Sequence, residues 1–230
     1  MSKSKSATNG AVNRISDNVA MHTEVTIKPP NIKTAVFTII GTSPYVQSKF
    51  SSKAKAMMKA NEAAGSTGKK GEKRDGKDHQ DCYEKSMYRP SGEKWEGGAI
   101  PATQIRAAMI ASCRLTGYKM THAKQSINIQ ADGYDPDECI PLIRVKKGGP
   151  RYFEQALRNS NGGAEVRVRG MWEPGWEADV RIDYDADLFT LNDVASLLMR
   201  AGTQCGIGEG RMASRDCSGL GWGAFKILGM

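Results

Sequence analysis

Aromatic residues are scarce in this sequence, at 7% of 230 residues. That argues against a sheet face that stacks bases on rings, as many RRM domains do. Cysteines at metal-binding spacing are missing as well. Cys82, Cys113, Cys139, Cys205 and Cys217 are odd in number and contain no CxxC pair, so neither a disulfide framework nor a zinc ribbon is expected. The fragment His79-Gln80-Asp81-Cys82 offers two ligands, and no second pair accompanies it. No metal site and no cofactor is expected, and a reducing cytoplasm is the simpler setting. Long apolar runs are also absent. None approaches the ~20 residues needed to span a bilayer. The opening residues are polar, carry Lys3 and Lys5, and lead into no apolar core, so neither a signal peptide nor a membrane anchor is expected.

Positive charge is what the chain has in plenty. Its 33 Lys and Arg against 25 Asp and Glu give a net charge of +8, which points to a polyanionic partner. The charge is concentrated. Lys53, Lys55, Lys59, Lys69, Lys70, Lys73, Arg74 and Lys77 crowd a stretch that also holds Gly65, Gly68, Gly71 and Gly76. Such a tract cannot bury a core of its own. Residues 47–98 are therefore expected to form a flexible basic insertion, with a short helix around 52–64, and residues 1–30 a polar arm ending at Pro29-Pro30. Residues 31–230 form the domain.

Hydrophobic periodicity places the rest. Residues 34–40 read as a strand buried on both faces, because the run is β-branched and nearly continuous in apolarity. A helix is expected from Ile100 to about Leu115, with Ile105, Ala108, Met109 and Cys113 on one face beside Ser112, and Gly117 as its stop. Weaker strands at 126–130 and 140–145 read as insertions. Alternating apolar and charged residues at 165–169 and 179–184 flank Pro174-Gly175, the pattern of a hairpin with Val166, Val168, Val180 and Ile182 inward. Thr190 and Asp193 then make a capping box for a helix striped by Leu191, Val194, Leu197 and Leu198, ended by Gly202. Residues 222–228 close the chain as a strand. The order strand, helix, hairpin, helix, strand gives an α+β, ferredoxin-like or RRM-like β-α-β-β-α-β core.

The most distinctive segment is Gly206-Ile207-Gly208-Glu209-Gly210-Arg211, followed by Gly219-Leu220-Gly221-Trp222-Gly223-Ala224-Phe225. It follows a helix and precedes a strand, the reverse of a Rossmann fingerprint, and no Gly-Lys-Ser/Thr makes it a Walker A loop. Backbone N–H groups at Gly206 and Gly208, beside Arg211 and Arg215, suit phosphate oxygens. The bland alternative is a tight turn needing positive φ.

This GIGEGR…GLGWGAF pattern resembles the C-terminal glycine-rich loop of the RAMP superfamily, the RRM-like proteins that build and process CRISPR RNA complexes. The segment IPATQIR at 100–106 resembles the IPGSSLRG helix opening of backbone subunits in those complexes, although Ala102 and Thr103 replace a Gly-Ser pair. The first-strand exit, from Ile40-Gly41-Thr42-Ser43-Pro44 through Phe50, resembles that of small phage-encoded relatives. The resemblance implies single-stranded RNA or DNA as ligand and assembly of several copies, as a homo-oligomer or filament, along the strand.

Candidate ligand contacts follow from the residue types. A helix N-terminus docks phosphate, with Thr103 and Gln104 as added donors and Arg106 as added charge. Ser43, Lys49 and Phe50 follow the first strand, where Lys49 is a candidate for the nucleic-acid backbone and Phe50 reads equally as a base-stacking ring or as a core residue. Lys53 and Lys55 open the basic insertion. Arg167 and Arg169, on the polar side of their strand, read as solvated or paired. Catalysis is not expected, because the loop at 41–55 holds neither Asp nor His. Two other readings remain open. One is a RAMP-type processing endoribonuclease with His122 or His79 as general base; the other is a phage-encoded subunit that joins or blocks a host CRISPR effector complex.

Overall fold

The computed structural model describes residues 27–49, 56, 78–92, 94–158, 164–214 and 220–229. All but Ala56 of the expected helix at 52–64, the lysines of the basic stretch and most of the polar arm lie outside the described residues. What is described is an α+β protein with two antiparallel sheets.

The main sheet is built on two long strands, β1 (Ile32–Gly41) and β9 (Glu177–Asp185), paired from Ile32↔Asp185 to Ile40↔Glu177. The short β10 (Phe225–Ile227) flanks β1 on its other side. Two segments lie along the far side of β9: β4 (Ile127–Ile129) and β6 (Pro141–Lys147). These are the segments read as insertions, and the structure makes them sheet members. The small β5 (Gly133–Tyr134) and β3 (Ala99–Pro101) pair with β6. Pro141 is tolerated because it stands first in its strand.

Residues 165–172 and 177–184 are strands, as the alternation requires, but they do not pair with each other. β8 (Ala164–Trp172) belongs to a second, three-stranded sheet, between β2 (Tyr45–Gln47) and β7 (Pro150–Arg158). The hairpin is β7–β8, in register from Pro150↔Trp172 to Arg158↔Ala164. Pro174-Gly175 instead bends one strand as it passes from β8 to β9. The partner strand bends with it: the Gly41 N–H donates to the Trp176 carbonyl and the Gly175 N–H to the Gly41 carbonyl, both at 2.8 Å. A closed turn there would leave Trp172 and Trp176 at an exposed tip. The bend buries both against Tyr45, with ring centroids 5.2 and 5.7 Å away. Each buried indole is worth about 4–6 kcal/mol at ~25 cal/mol per Å², which outweighs local turn preference. Val168, Val180 and Ile182 are buried, whereas Val166, towards the outer end of β8, is exposed.

Four helices complete the described fold. α1 (His79–Lys85) leads into Met87 and Trp95, both buried, and the Ser86 hydroxyl accepts the Gly170 N–H at 2.8 Å. The later part of the expected insertion is thus packed on the fold, Met87 against Gly170 of β8 and Trp95 against Ala99 and Leu142. α2 (Ala102–Thr116) starts two residues later than expected, since Ile100 and Pro101 finish β3. Its stripe of Ile105, Ala108, Met109, Ser112 and Cys113 is buried, and Gly117 stops it. α3 is Met120–Ser126. α4 (Leu191–Arg200) has the Thr190–Asp193 capping box and buries Val194, Leu197 and Leu198, leaving Leu191 exposed. It does not end at Gly202: a π-helical turn, Ala201–Cys205, prolongs it, and Gly202 is where the Phe225 backbone presses against the helix.

The core lies between α2, α4 and one face of the main sheet, where Ala35, Phe37 and Ile39 join Val180 and Ile182. β1 is therefore buried on one face, not two. Its other face carries Thr34, Val36 and Thr38, with Val36 at 60% exposure.

The capping box yields a pH-dependent expectation. Hydrogen bonds from the Thr190 hydroxyl and backbone N–H hold the Asp193 carboxyl below its ordinary value. A lowered folded-state pKa stabilises above the unfolded value near ~3.9 and the contribution is lost as pH falls through the folded value. Thr190→Ala should cost about 1 kcal/mol at neutral pH. The gap between the thermal melts of variant and parent should narrow in acid, leaving the part owed to the Asp193 N–H that the Thr190 hydroxyl accepts; a constant gap would contradict this account.

Candidate nucleic-acid interface

Two segments far apart in sequence meet at one place. The first turn of α2 and the loop after the π-helical turn enclose a cavity of about 290 Å³. Thr103 and Gln104 line one side; Gly206, Gly208 and Arg211 line the other, with Cys205 and Ile207 between. The loop reaches α2 because Gly202 lets the end of α4 lie against β10.

The α2 end is suited to an anion. Its N-cap is Pro101, and no side chain caps it. First-turn N–H groups of a helix carry partial positive charge and lack intrahelical acceptors. Arg211 is exposed, and its guanidinium donates to the Gly208 carbonyl at 3.1 Å, using one of five N–H donors.

The glycine-rich loop proves to be held largely by its own backbone. N–H groups of Gly206, Ile207, Glu209, Ala213, Trp222 and Gly223 all donate to main-chain carbonyls, including those of Val46 and Pro44. Gly208 has φ +78°, and a Cβ there would stand 2.5 Å from the Val46 carbonyl oxygen and 2.7 Å from the Tyr45 ring. Its glycine is required by the fold, not by a partner's approach. Glu209 fixes the loop to β8, accepting from Arg169 at 2.7 Å and lying 3.9 Å from Arg167. The two arginines are thus paired, as their alternation with apolar residues allowed.

The other candidates lie elsewhere. The Ser43 hydroxyl accepts the Ala224 N–H at 2.8 Å and ties β10's approach to the β1 exit. Lys49 is held by Asp135 at 2.6 Å and Asp137 at 2.9 Å. Burial alone would lower its pKa, but the hydrogen bonds it donates to the two carboxylates outweigh that and raise it. Arg106 turns away from the cavity and donates to the Lys124 and Ile127 carbonyls at the end of α3. Phe50, Lys53, Lys55 and Arg215 lie outside the described residues. His79 opens α1, and His122 lies in α3 with its ring edge-on to Tyr118. Neither lines the cavity.

Residue types alone missed Tyr45 and Gln47. Both are fully buried on β2, and Tyr45 donates to Gln104 at 3.1 Å. A Tyr-x-Gln pair in a short strand carries no motif, so only packing identifies it.

The open face of the main sheet carries charges of both signs, largely paired with one another. Along β9 it presents Glu177, Asp179, Arg181, Asp183 and Asp185; Lys146 of β6 pairs with Asp179 and Arg181 with Asp132, while Thr34 and Thr38 of β1 donate to Asp183 and Asp179 at 2.6 and 2.8 Å. Burial would raise the Asp179 pKa, but hydrogen bonds from Lys146 and Thr38 hold it below the ordinary value. β10, β1 and β9 present no aromatic side chain on this face. Among the described residues no cluster of three or more His, Cys, Asp or Glu could hold a metal ion, and no helix is long and apolar enough to cross a membrane. No known protein-family model matches the chain, and neither does any curated protein.

Proposed function

We propose that this chain is a RAMP-like protein that binds single-stranded RNA or DNA without cleaving it, in several copies along the strand. The observation that carries the reading is the cavity, which unites the two segments resembling RAMP motifs, an uncapped helix N-terminus and an arginine-bearing loop. The sheet supports it. In the order β10-β1-β9-β4, α2 lies between β1 and β4 in sequence and α4 between β9 and β10. That order favours reading the sheet as a ferredoxin-like β-α-β-β-α-β core, with β7–β8 and the basic stretch as additions. The open sheet face offers no aromatic side chain on β10, β1 or β9 for bases to stack on, which favours the loop and helix end as the ligand's seat. The lysine-rich stretch then serves as a finger over the strand or over a neighbouring copy.

Filter binding tests the reading. Log affinity should fall with log salt, each neutralised phosphate adding roughly −0.7 to the slope. Arg211→Ala should weaken binding about ten- to a hundredfold on every sequence, as loss of a charge-assisted contact does. Its melting temperature should stay at the parent value, because Arg211 is exposed. A flat salt response, or an Arg211→Ala protein that binds like the parent, would overturn the proposal.

A further inference from the structure

Beneath the cavity runs a chain of buried polar groups whose direction is fixed. Gln47 accepts the Tyr88 N–H on its Oε1 at 3.0 Å. Its Nε2 donates to the Ala99 carbonyl and, at 3.0 Å, to the Tyr45 hydroxyl oxygen. A backbone N–H only donates and a backbone carbonyl only accepts, so the two ends of the Gln47 amide cannot be exchanged. The Tyr45 oxygen therefore receives a hydrogen from Gln47 and must place its own elsewhere. Tyr45 is fully buried, and a hydroxyl without an acceptor in such a site is costly. Gln104 Oε1, at 3.1 Å, is that acceptor. Burial, the dominant influence on Tyr45, raises its pKa far above the ordinary range, so this donor persists at any working pH. With Oε1 engaged, Gln104 is left to meet the cavity through its NH2, which has no partner among the described residues.

We propose that Tyr45 and Gln47 are positioning residues that lock the Gln104 amide with its NH2 towards the cavity, so that this subsite takes a hydrogen-bond acceptor oxygen of the bound strand. The proposal rests on the nucleic-acid reading above and makes it more specific. A phosphate oxygen would meet Gln104 together with Arg211, which is donor-only; a base carbonyl would meet Gln104 alone. Gly208 lies against the Tyr45 ring, so loop and relay are held in one register.

The test exploits the sign of the hydrogen bond. Gln104→Glu keeps the shape but offers only acceptors at neutral pH, and should lose about tenfold or more in affinity for single strands. Gln104→Lys offers only donors and should bind at least as well as the parent. Equal loss in Gln104→Glu across all four homopolymers marks a phosphate as the acceptor; loss confined to carbonyl-bearing bases marks a base. Tyr45→Phe should weaken binding about threefold to tenfold in the parent, because the amide is free to turn, and have no effect beside Gln104→Lys, which needs no orienting. A packing defect would instead lower affinity equally in both backgrounds and overturn the proposal. Melting curves accompany each variant, and if Tyr45→Phe does not fold, the Glu–Lys contrast at Gln104 decides alone. A Gln104→Glu protein that binds like the parent sinks the relay while leaving the nucleic-acid reading intact. A parent that binds no single strand sinks both.

Discussion

Gly208→Val is expected to melt roughly 10 °C below the parent and to lose nucleic-acid binding with its fold. Two costs combine. At φ +78° a β-branched side chain is strained by about 1–3 kcal/mol. Its Cβ would also stand 2.5 Å from the Val46 carbonyl and 2.7 Å from the Tyr45 ring, and forced overpacking of this kind adds about 1–3 kcal/mol. For a chain of this size each kcal/mol shifts melting by about 2–4 °C. Gly208→Ala keeps the close approach but carries less bulk, so it should fall between parent and Val. The contrast with Arg211→Ala, three residues on, is the useful one. One variant should lose stability, the other affinity alone. A Gly208→Val protein that melts like the parent would mean that the loop does not pack against β2.

Lys49→Met is the second substitution with a large expected effect, and it acts on stability, not on binding. Its ammonium is nearly buried, with 9% of the side chain exposed, and the Asp135 side chain is wholly buried. Removing one member of a buried pair typically costs about 3–5 kcal/mol, because the remaining charge has lost its partner. Asp135 also accepts the N–H groups of Asp137 and Glu138 at 3.2 and 3.1 Å, so its carboxylate organises the turn at 135–139. The double variant Lys49→Met/Asp135→Asn should recover much of the loss, since the stranded charge is gone. The pH dependence has a definite sign. The Lys49 pKa is raised in the folded protein, so its contribution is fully present below the unfolded value near ~10.4 and is lost as pH rises through the folded value. Parent and Lys49→Met melting temperatures should therefore converge only in strong alkali. Equal stability of the two proteins at neutral pH would show that the ion pair adds nothing to the fold.

The sequence by itself determined most of what is local. The capping box at Thr190, the apolar stripe of α2, its stop at Gly117 and the strands around 165 and 180 all follow from periods of 3.6 or 2 and from capping chemistry, which act within a few residues. Both halves of the cavity were also visible, as a helix opening at Thr103 and Gln104 and a loop ending in Arg211. Strand pairing was not. Pro174-Gly175 permits a reversal or a bend, and only the burial of Trp172 and Trp176 around Tyr45 chose the bend. One-sided burial of β1 had the same origin, since a run of β-branched residues does not record how many faces the helices will cover. Residue type likewise nominated Ser43, Lys49 and Arg106 as ligand contacts, yet a hydroxyl or cation that suits a phosphate also suits a backbone N–H, a buried carboxylate or a helix C-terminus. Tertiary structure spent those three on the Ala224 N–H, on Asp135 and on the end of α3. It left Gln104 and Arg211 facing one cavity and set Tyr45 and Gln47 behind them, because hydrogen-bond partners are assigned by which groups are buried together, and that is a property of the packed chain.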